Sequence, residues 1–191
     1  MPRIVDHTER RRQVARAARG LILEQGLDNV TVREIASRVG YSTAVVSHYF
    51  RSKKELMFLV FRETQVSAEQ RFKAAIDARL PLVESLEALL PTDRDSVETW
   101  RVWFAFWSMT VTYDDFRDEQ VIQARKTLGM IAGLLDNLAV PAINSDERDL
   151  QSRALFAMIT GIATQATHDP EGWPLDRQRA VIARCLAGSV L

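Results

Sequence analysis

Between residues 42 and 53 the chain places the hydroxyls of Ser42, Thr43 and Ser47, the imidazole of His48, the phenol of Tyr49 and the ammonium of Lys53. These are hydrogen-bonding groups without the partners that would make any of them a nucleophile. Hydroxyls and imidazoles at this spacing bond phosphate oxygens or base edges, and the methyls of Thr43 and Ala44 fit a thymine methyl. Lys53 stands at the start of a helical pattern, where an ammonium and unpaired backbone N–H groups suit a phosphate. Bond-making chemistry has no comparable constellation. There is no glycine-rich phosphate loop, no metal-ligand spacing and no nucleophile elbow, and the three histidines (His7, His48, His168) are scattered. Catalytic residues, metal ligands and a cofactor are therefore not expected.

A second group is aromatic. Trp100, Trp103, Phe104, Phe106, Trp107 and Met109 recur at helical spacing. Trp103, Trp107, Tyr113 and Phe116 admit two readings. They form an aromatic wall around a ligand, up to a cation–π cage for a quaternary ammonium, or they fill a core. Glu63, Asp114 and Glu119 are the carboxylates a cationic ligand would want.

The elements that must position the first group are written into residues 31–56, TVREIASRVGYSTAVVSHYFRSKKEL. Thr31 and Glu34 make a capping box and start a helix, along which Val32, Ile35, Ala36 and Val39 give an apolar stripe. Gly40 follows where a left-handed cap is wanted. Ser42 caps a second helix through Phe50, with Val45, Val46 and Phe50 facing inward. Ser52 and Glu55 box the start of a third. Two helices across a short glycine turn are a helix-turn-helix, whose second helix enters the DNA major groove, although the bare pattern also suits an ordinary helical hairpin.

Charge favours the first reading. The chain is neutral overall, yet residues 1–62 hold twelve Lys/Arg against six Asp/Glu, while the remainder is acidic by the same margin. A basic head on an acidic body is the footprint of a polyanion-binding module. Arg10, Arg11, Arg12 and Arg16 crowd the first turns of a helix from Thr8 to before Gly26, against the helix dipole. Phosphate contact, with minor-groove contact by Arg3, would explain them; solvated arginines are the alternative.

Length, 47% hydrophobic and 26% charged residues are those of a globular protein with a sizeable core. A single cysteine, Cys185, excludes an internal disulfide framework and is expected to be buried beside Ile182 and Leu186. No signal peptide or membrane-length apolar run appears, so a cytoplasmic protein is expected. After the head, helix 4 runs from Ser52 toward Leu80. A short helix covers 82–90, and helix 6 starts near Val97, with Asp95 and Glu98 as its caps. Helix 7 starts at Asp114/Asp115. Helix 8 runs from Asn144 to about His168, with Leu150, Ala154, Leu155, Met158, Ile159, Ile162 and Ala166 as its stripe. Helix 9 spans Leu175 to about Val190. The fold class is all-α: a three-helix head, residues 1–52, on a helical ligand-binding and dimerisation body, residues 53–191, about nine helices in all.

The segment TVREIASRVGYSTAVVSHYFRSKKEL, with the preceding helix and Gly26 and the long helix 4 after it, resembles the TetR family of bacterial transcription regulators. The segment W-x-x-W-F-A-F-W, followed by an arginine-containing helix, looks like the BetI-type C-terminal domain. BetI-type regulators repress osmoprotectant genes and respond to choline, but the domain covers a wider group than choline sensors, so the resemblance implies the fold and not the ligand. The first resemblance implies phosphate contacts at Tyr49, Lys53 and Thr31; it departs from the family at Ser47, where many members have tyrosine. It also implies a ligand pocket within helices 4–8 and a homodimer through helices 8 and 9. The DNA-contacting set is then Thr31, Arg33, Ser42, Thr43, Ala44, Ser47, His48, Tyr49 and Lys53. The expected partners are double-stranded DNA with a near-palindromic operator and an unidentified small molecule, with no membrane. The alternative is a helical interaction adaptor that does not bind DNA.

Overall fold

The computed structural model describes residues 7–142 and 144–188. Arg3, and with it the expected minor-groove contact, lies outside them. Among the described residues there are nine α-helices and no strand. They are α1 (His7–Gln25), α2 (Val32–Val39), α3 (Thr43–Ser47), α4 (Lys53–Asp77), α5 (Leu82–Glu87), α6 (Arg94–Thr110), α7 (Asp114–Asn137), α8 (Ser145–His168) and α9 (Leu175–Gly188), with a 3₁₀ turn at Leu27–Asn29. The chain divides into two compact units, a head up to Val66 and a body from Ser67. The division falls inside α4, whereas the sequence reading draws it at the start of that helix.

In the head, α1 buries Val14, Ala18, Leu21 and Ile22, the stripe that its 3.6-residue periodicity predicts. The α2 helix begins with a complete capping box. The Thr31 hydroxyl oxygen accepts from the Glu34 N–H at 3.2 Å, and Glu34 accepts from the Thr31 N–H at 2.9 Å. Such a cap contributes about 1 kcal/mol. Gly40 ends α2 at φ 70°, in the left-handed region where a Cβ is disfavoured, and the Tyr41 N–H closes back on the Ala36 carbonyl at 3.0 Å. Ser42 caps α3 through the Val45 N–H. The α3 helix is shorter than expected: it stops at Ser47, and the N–H groups of His48 and Tyr49 bond three residues back, to Val45 and Val46, in a tightened last turn. Leu56, Met57, Val60 and Phe61 bury the first half of α4.

The first-turn arginines of α1 have partners within the head. Arg11 and Arg12 each approach Glu63 at 3.9 Å, Arg16 approaches Glu9 at 3.9 Å, and Arg10 lies over the Tyr41 ring at 5.4 Å. Tyr41 also donates its hydroxyl to Gln13. Arg38 grips Glu24 with two bonds of 3.0 and 2.8 Å, tying α2 to α1.

In the body, α6 and α7 form an antiparallel hairpin, α8 packs on both, and α9 packs on α5 and α8. Arg179 of α9 holds Glu87 of α5 through bonds of 2.7 and 2.9 Å. Three local expectations are corrected. The α6 helix starts earlier, at Arg94, because Asp93 accepts from the Ser96 N–H at 2.7 Å and Ser96 reaches back to the Asp93 N–H; Asp95 and Glu98 instead pair with Arg71 and Arg94. Cys185 is exposed, not buried. Of α9 only Gln178 and Ile182 are buried, so its last turns stand clear of this chain's core. On α8, Leu155, Ile159, Ile162 and Ala166 are buried as expected, but Leu150 is 62% exposed and Ala154 is also exposed.

Candidate nucleic-acid interface and ligand site

The short α3 helix is anchored by one face. Val46 and Phe50 are buried and Val45 is half-buried, which turns Thr43, Ala44, Ser47 and His48 outward together. Their spacing, i, i+1, i+4 and i+5, is that of one helical face. Ser42 is exposed beside them, with its hydroxyl engaged as the cap. Tyr49 is half-buried, and its ring meets the His48 ring edge-on at 5.6 Å. Thr31 and Arg33 are exposed at the start of α2. The Thr31 hydroxyl donates to Glu34 at 2.7 Å, and this bond holds the Glu34 carboxyl below its ordinary range, with Gln25 adding to the effect. Arg33 has no ion-pair partner among the described residues. Lys53, exposed at the start of α4, donates to the Asp28 carbonyl, which ties α4 to the loop before α2.

The aromatic candidates fall in two places. Trp103 is 8% exposed and Trp107 is half-buried, and their rings lie 4.7 and 5.9 Å from that of Trp100. The Trp100 indole donates to the Leu89 carbonyl at 3.0 Å, whereas the indole N–H groups of Trp103 and Trp107 have no partner. Phe116 is fully buried against Phe106 at 4.7 Å, and Tyr113, 44% exposed, sits 5.9 Å from Phe116 near the α6–α7 turn. The sequence reading names Glu119 here but passes over the other polar groups of this region. Thr99 is fully buried with its hydroxyl unpaired, Glu119 is 8% exposed, and the side-chain carbonyls of Gln120 and Gln123 are buried without partners. Their signal was weak, since glutamines inside a helix normally read as its solvated face. A cleft of about 590 Å³ opens elsewhere, between Ile76, Asp77, Arg79 and Leu80 around the end of α4 and Leu134, Asn137 and Leu138 around the end of α7; none of the four aromatic candidates lines it.

The profile of the BetI-type transcriptional repressor C-terminal domain matches residues 68–190, and that of the bacterial regulatory proteins of the tetR family matches residues 15–60. The chain belongs to the TetR family. It is 31% identical over 186 residues to the HTH-type transcriptional regulator PksA of Bacillus subtilis strain 168, covering 95% of this chain and 90% of that protein. It is 28% identical over 199 residues to the HTH-type transcriptional regulator BetI of Escherichia coli K12, covering 94% and 92%. A crystal structure of a putative transcriptional regulator from Saccharomonospora viridis in complex with choline superposes with a TM-score of 0.75 at 27% identity, covering 91% of this chain and 93% of that one. These TetR relatives are transcription regulators and not enzymes, and the head that matches the family is its DNA-binding domain. The adaptor alternative is therefore set aside. No described helix is long and apolar enough to cross a membrane.

Proposed function

We propose that this regulator is a cytoplasmic, dimeric repressor that a small molecule releases from a near-palindromic operator. The observation that carries the reading is the outward face of α3, with Thr43, Ala44, Ser47 and His48 presented together on a helix anchored by Val46 and Phe50. Ser42, Thr43, Ala44, Ser47 and His48 read bases. Thr31, Arg33, Tyr49 and Lys53 hold phosphates and set the register. In this role Lys53 exchanges the Asp28 carbonyl for a phosphate oxygen. The functional division is residues 1–52 for DNA and 53–191 for effector and dimer. A twofold dimer through α8 and α9 places two recognition helices about 34–36 Å apart, one DNA turn. Support for that surface comes from the exposed small residues Ala154, Ala157 and Gly161 on α8 and Ala180, Ala183 and Ala187 on α9, which allow close helix approach.

The effector contacts Trp103 and Trp107, with Tyr113 and Phe116 behind them, and the choline complex of the related regulator makes a small polar organic molecule the reference class. Binding shifts the population between two body conformations by no more than its differential affinity for them. The α4 helix carries the shift, because one continuous helix belongs to both units.

Selection of bound sites from randomised DNA tests the reading. A palindromic consensus with half-sites about one turn apart is expected, with affinity falling steeply as salt rises. Enrichment of no sequence, with salt-insensitive retention, would falsify it.

A further inference from the structure

The seam between α6 and α7 contains polar atoms that this chain leaves unpaired. The Phe106–Phe116 ring pair, with centroids 4.7 Å apart, sets the register of the antiparallel hairpin. One turn away from that pair, Trp103 comes level with Glu119 and Gln120; a further turn brings Thr99 level with Gln123. Two adjacent turns thus gather the orphan Thr99 hydroxyl, the orphan Trp103 N–H and the orphan carbonyls of Gln120 and Gln123. Thr99 and Trp103 are 0% and 8% exposed, so bulk water does not pair them. Trp107, whose ring lies 5.9 Å from that of Trp100, adds a second unpaired indole N–H.

The chemistry of these atoms is not symmetric. An indole N–H only donates. The Gln123 amide nitrogen donates to the Glu119 carboxylate at 2.8 Å. Because a carboxylate accepts, this bond fixes which end of the amide faces Glu119 and leaves the carbonyl oxygen as the unpaired end. The seam therefore asks for an acceptor atom at the tryptophans and for hydrogen-bond donors at the glutamine carbonyls. The Trp faces and the Glu119 carboxylate favour positive charge in the same layer.

We infer that the α6–α7 seam binds a small protonated amine that carries N–H donors and, a few bonds away, an oxygen acceptor: the amino-alcohol class, in preference to a quaternary ammonium. The inference rests on the reading of the body as an effector-binding unit and assigns the ligand class. A quaternary ammonium supplies charge but no N–H, so it leaves the carbonyls of Gln120 and Gln123 unpaired. Sites built around hydrogen bonds discriminate strongly against analogues that lack them.

The test is a methylation series on the full chain: ethanolamine, N-methylethanolamine, N,N-dimethylethanolamine and choline. The series keeps the hydroxyl and the positive charge while removing N–H donors one at a time. Binding is followed by tryptophan fluorescence and by calorimetry, at a pH where every amine is protonated. Affinity is expected to fall with each methyl, leaving choline weaker than ethanolamine by about tenfold or more. A flat series, a preference for choline, or binding of none of the four overturns the inference. Gln123→Leu should level the series. Trp103→Phe, which keeps an aromatic side chain but removes the indole N–H together with the five-membered ring, should weaken all four amines by a similar factor. A slope unchanged by Gln123→Leu, or affinities unchanged by Trp103→Phe, also overturns it. Retention on DNA is measured on the same preparation without amine. Its loss counts against the repressor reading, whereas intact DNA binding with a flat series counts against the ligand class alone.

Discussion

Head and body treat their polar groups in opposite ways. In the head the polar side chains of the surface and its margin find each other: Thr31 with Glu34, Tyr41 with Gln13, Arg38 with Glu24, and Arg11 and Arg12 with Glu63. In the body, Thr99, Trp103, Trp107, Gln120, Gln123 and Gln178 each bury a polar atom without a partner; among the described residues no head side chain does so. Buried polar groups are normally paired, because an unmade bond forfeits hydration with no return. A surface that reads DNA gains from rigid, internally satisfied supports behind it. An interior that responds to a ligand gains from unmet valences which the ligand can satisfy.

Substitutions can break this contrast or sharpen it. The largest effect is expected from Phe116→Ala, which empties a fully buried position against Phe106. It should lower stability by about 3–5 kcal/mol in denaturant titration. A loss below about 1 kcal/mol would mean that Phe116 borders open space, not core. In the head, Tyr49→Phe should weaken operator binding by about tenfold, as expected for a lost hydrogen bond to a charged phosphate. That loss should be equal for all sequences in a binding competition; a loss confined to some operators would assign Tyr49 to base reading. Thr31→Ala removes a satisfied cap and should cost about 1 kcal/mol of stability, seen as a lower denaturant midpoint.

Acid should act on the corresponding cap in the body. The Asp93 carboxyl is held below its ordinary value of 3.8, first by the Ser96 N–H and then by the Ser96 hydroxyl. A depressed carboxylate contributes stability that is complete above the unfolded-state value and is lost as pH falls through the folded-state one. The melting-temperature gap between the native chain and Asp93→Asn should therefore be constant above about pH 4 and close below it. A gap that widens in acid would reverse the assignment. The smallest effect belongs to Thr99→Val. Replacing an unpaired buried hydroxyl with a methyl should leave stability unchanged or raise it slightly, in contrast to Thr31→Ala. A clear loss would reveal a partner for Thr99 and weaken the contrast at its centre.

Whatever depends on nearest neighbours in the chain was legible from sequence. Thr31 with Glu34, Gly40, Ser42, and Asn144 with the Glu147 N–H at 2.9 Å all sit where cap chemistry puts them. The start of α6 was misread because Asp93 and Asp95 are both competent caps; Ser96, with a short hydroxyl at the right offset, decided for Asp93. The length of α3 depends on how tightly its last turn winds beneath Tyr49, which local propensity does not specify. The exposure of Cys185 depends on which helix covers the end of α9, a fact external to that segment. For the candidate sites, the outward face of α3 followed from periodicity, because Val46 and Phe50 mark the opposite side. The unpaired seam did not. Gln120 and Gln123 become informative only once α6 lies against them and the Gln123 amide is turned by Glu119.

The division between the two units falls inside a helix and not in a loop, and this limits how such a regulator can be rebuilt. Loops absorb insertions, but a helix converts them into rotation. One residue added near Val66 turns everything beyond it by about 100° and advances it about 1.5 Å. Seven residues restore the phase to within about 20°. A head exchanged between relatives must therefore be joined in the phase of α4, and length changes that evolution or engineering tolerates there should come in whole turns.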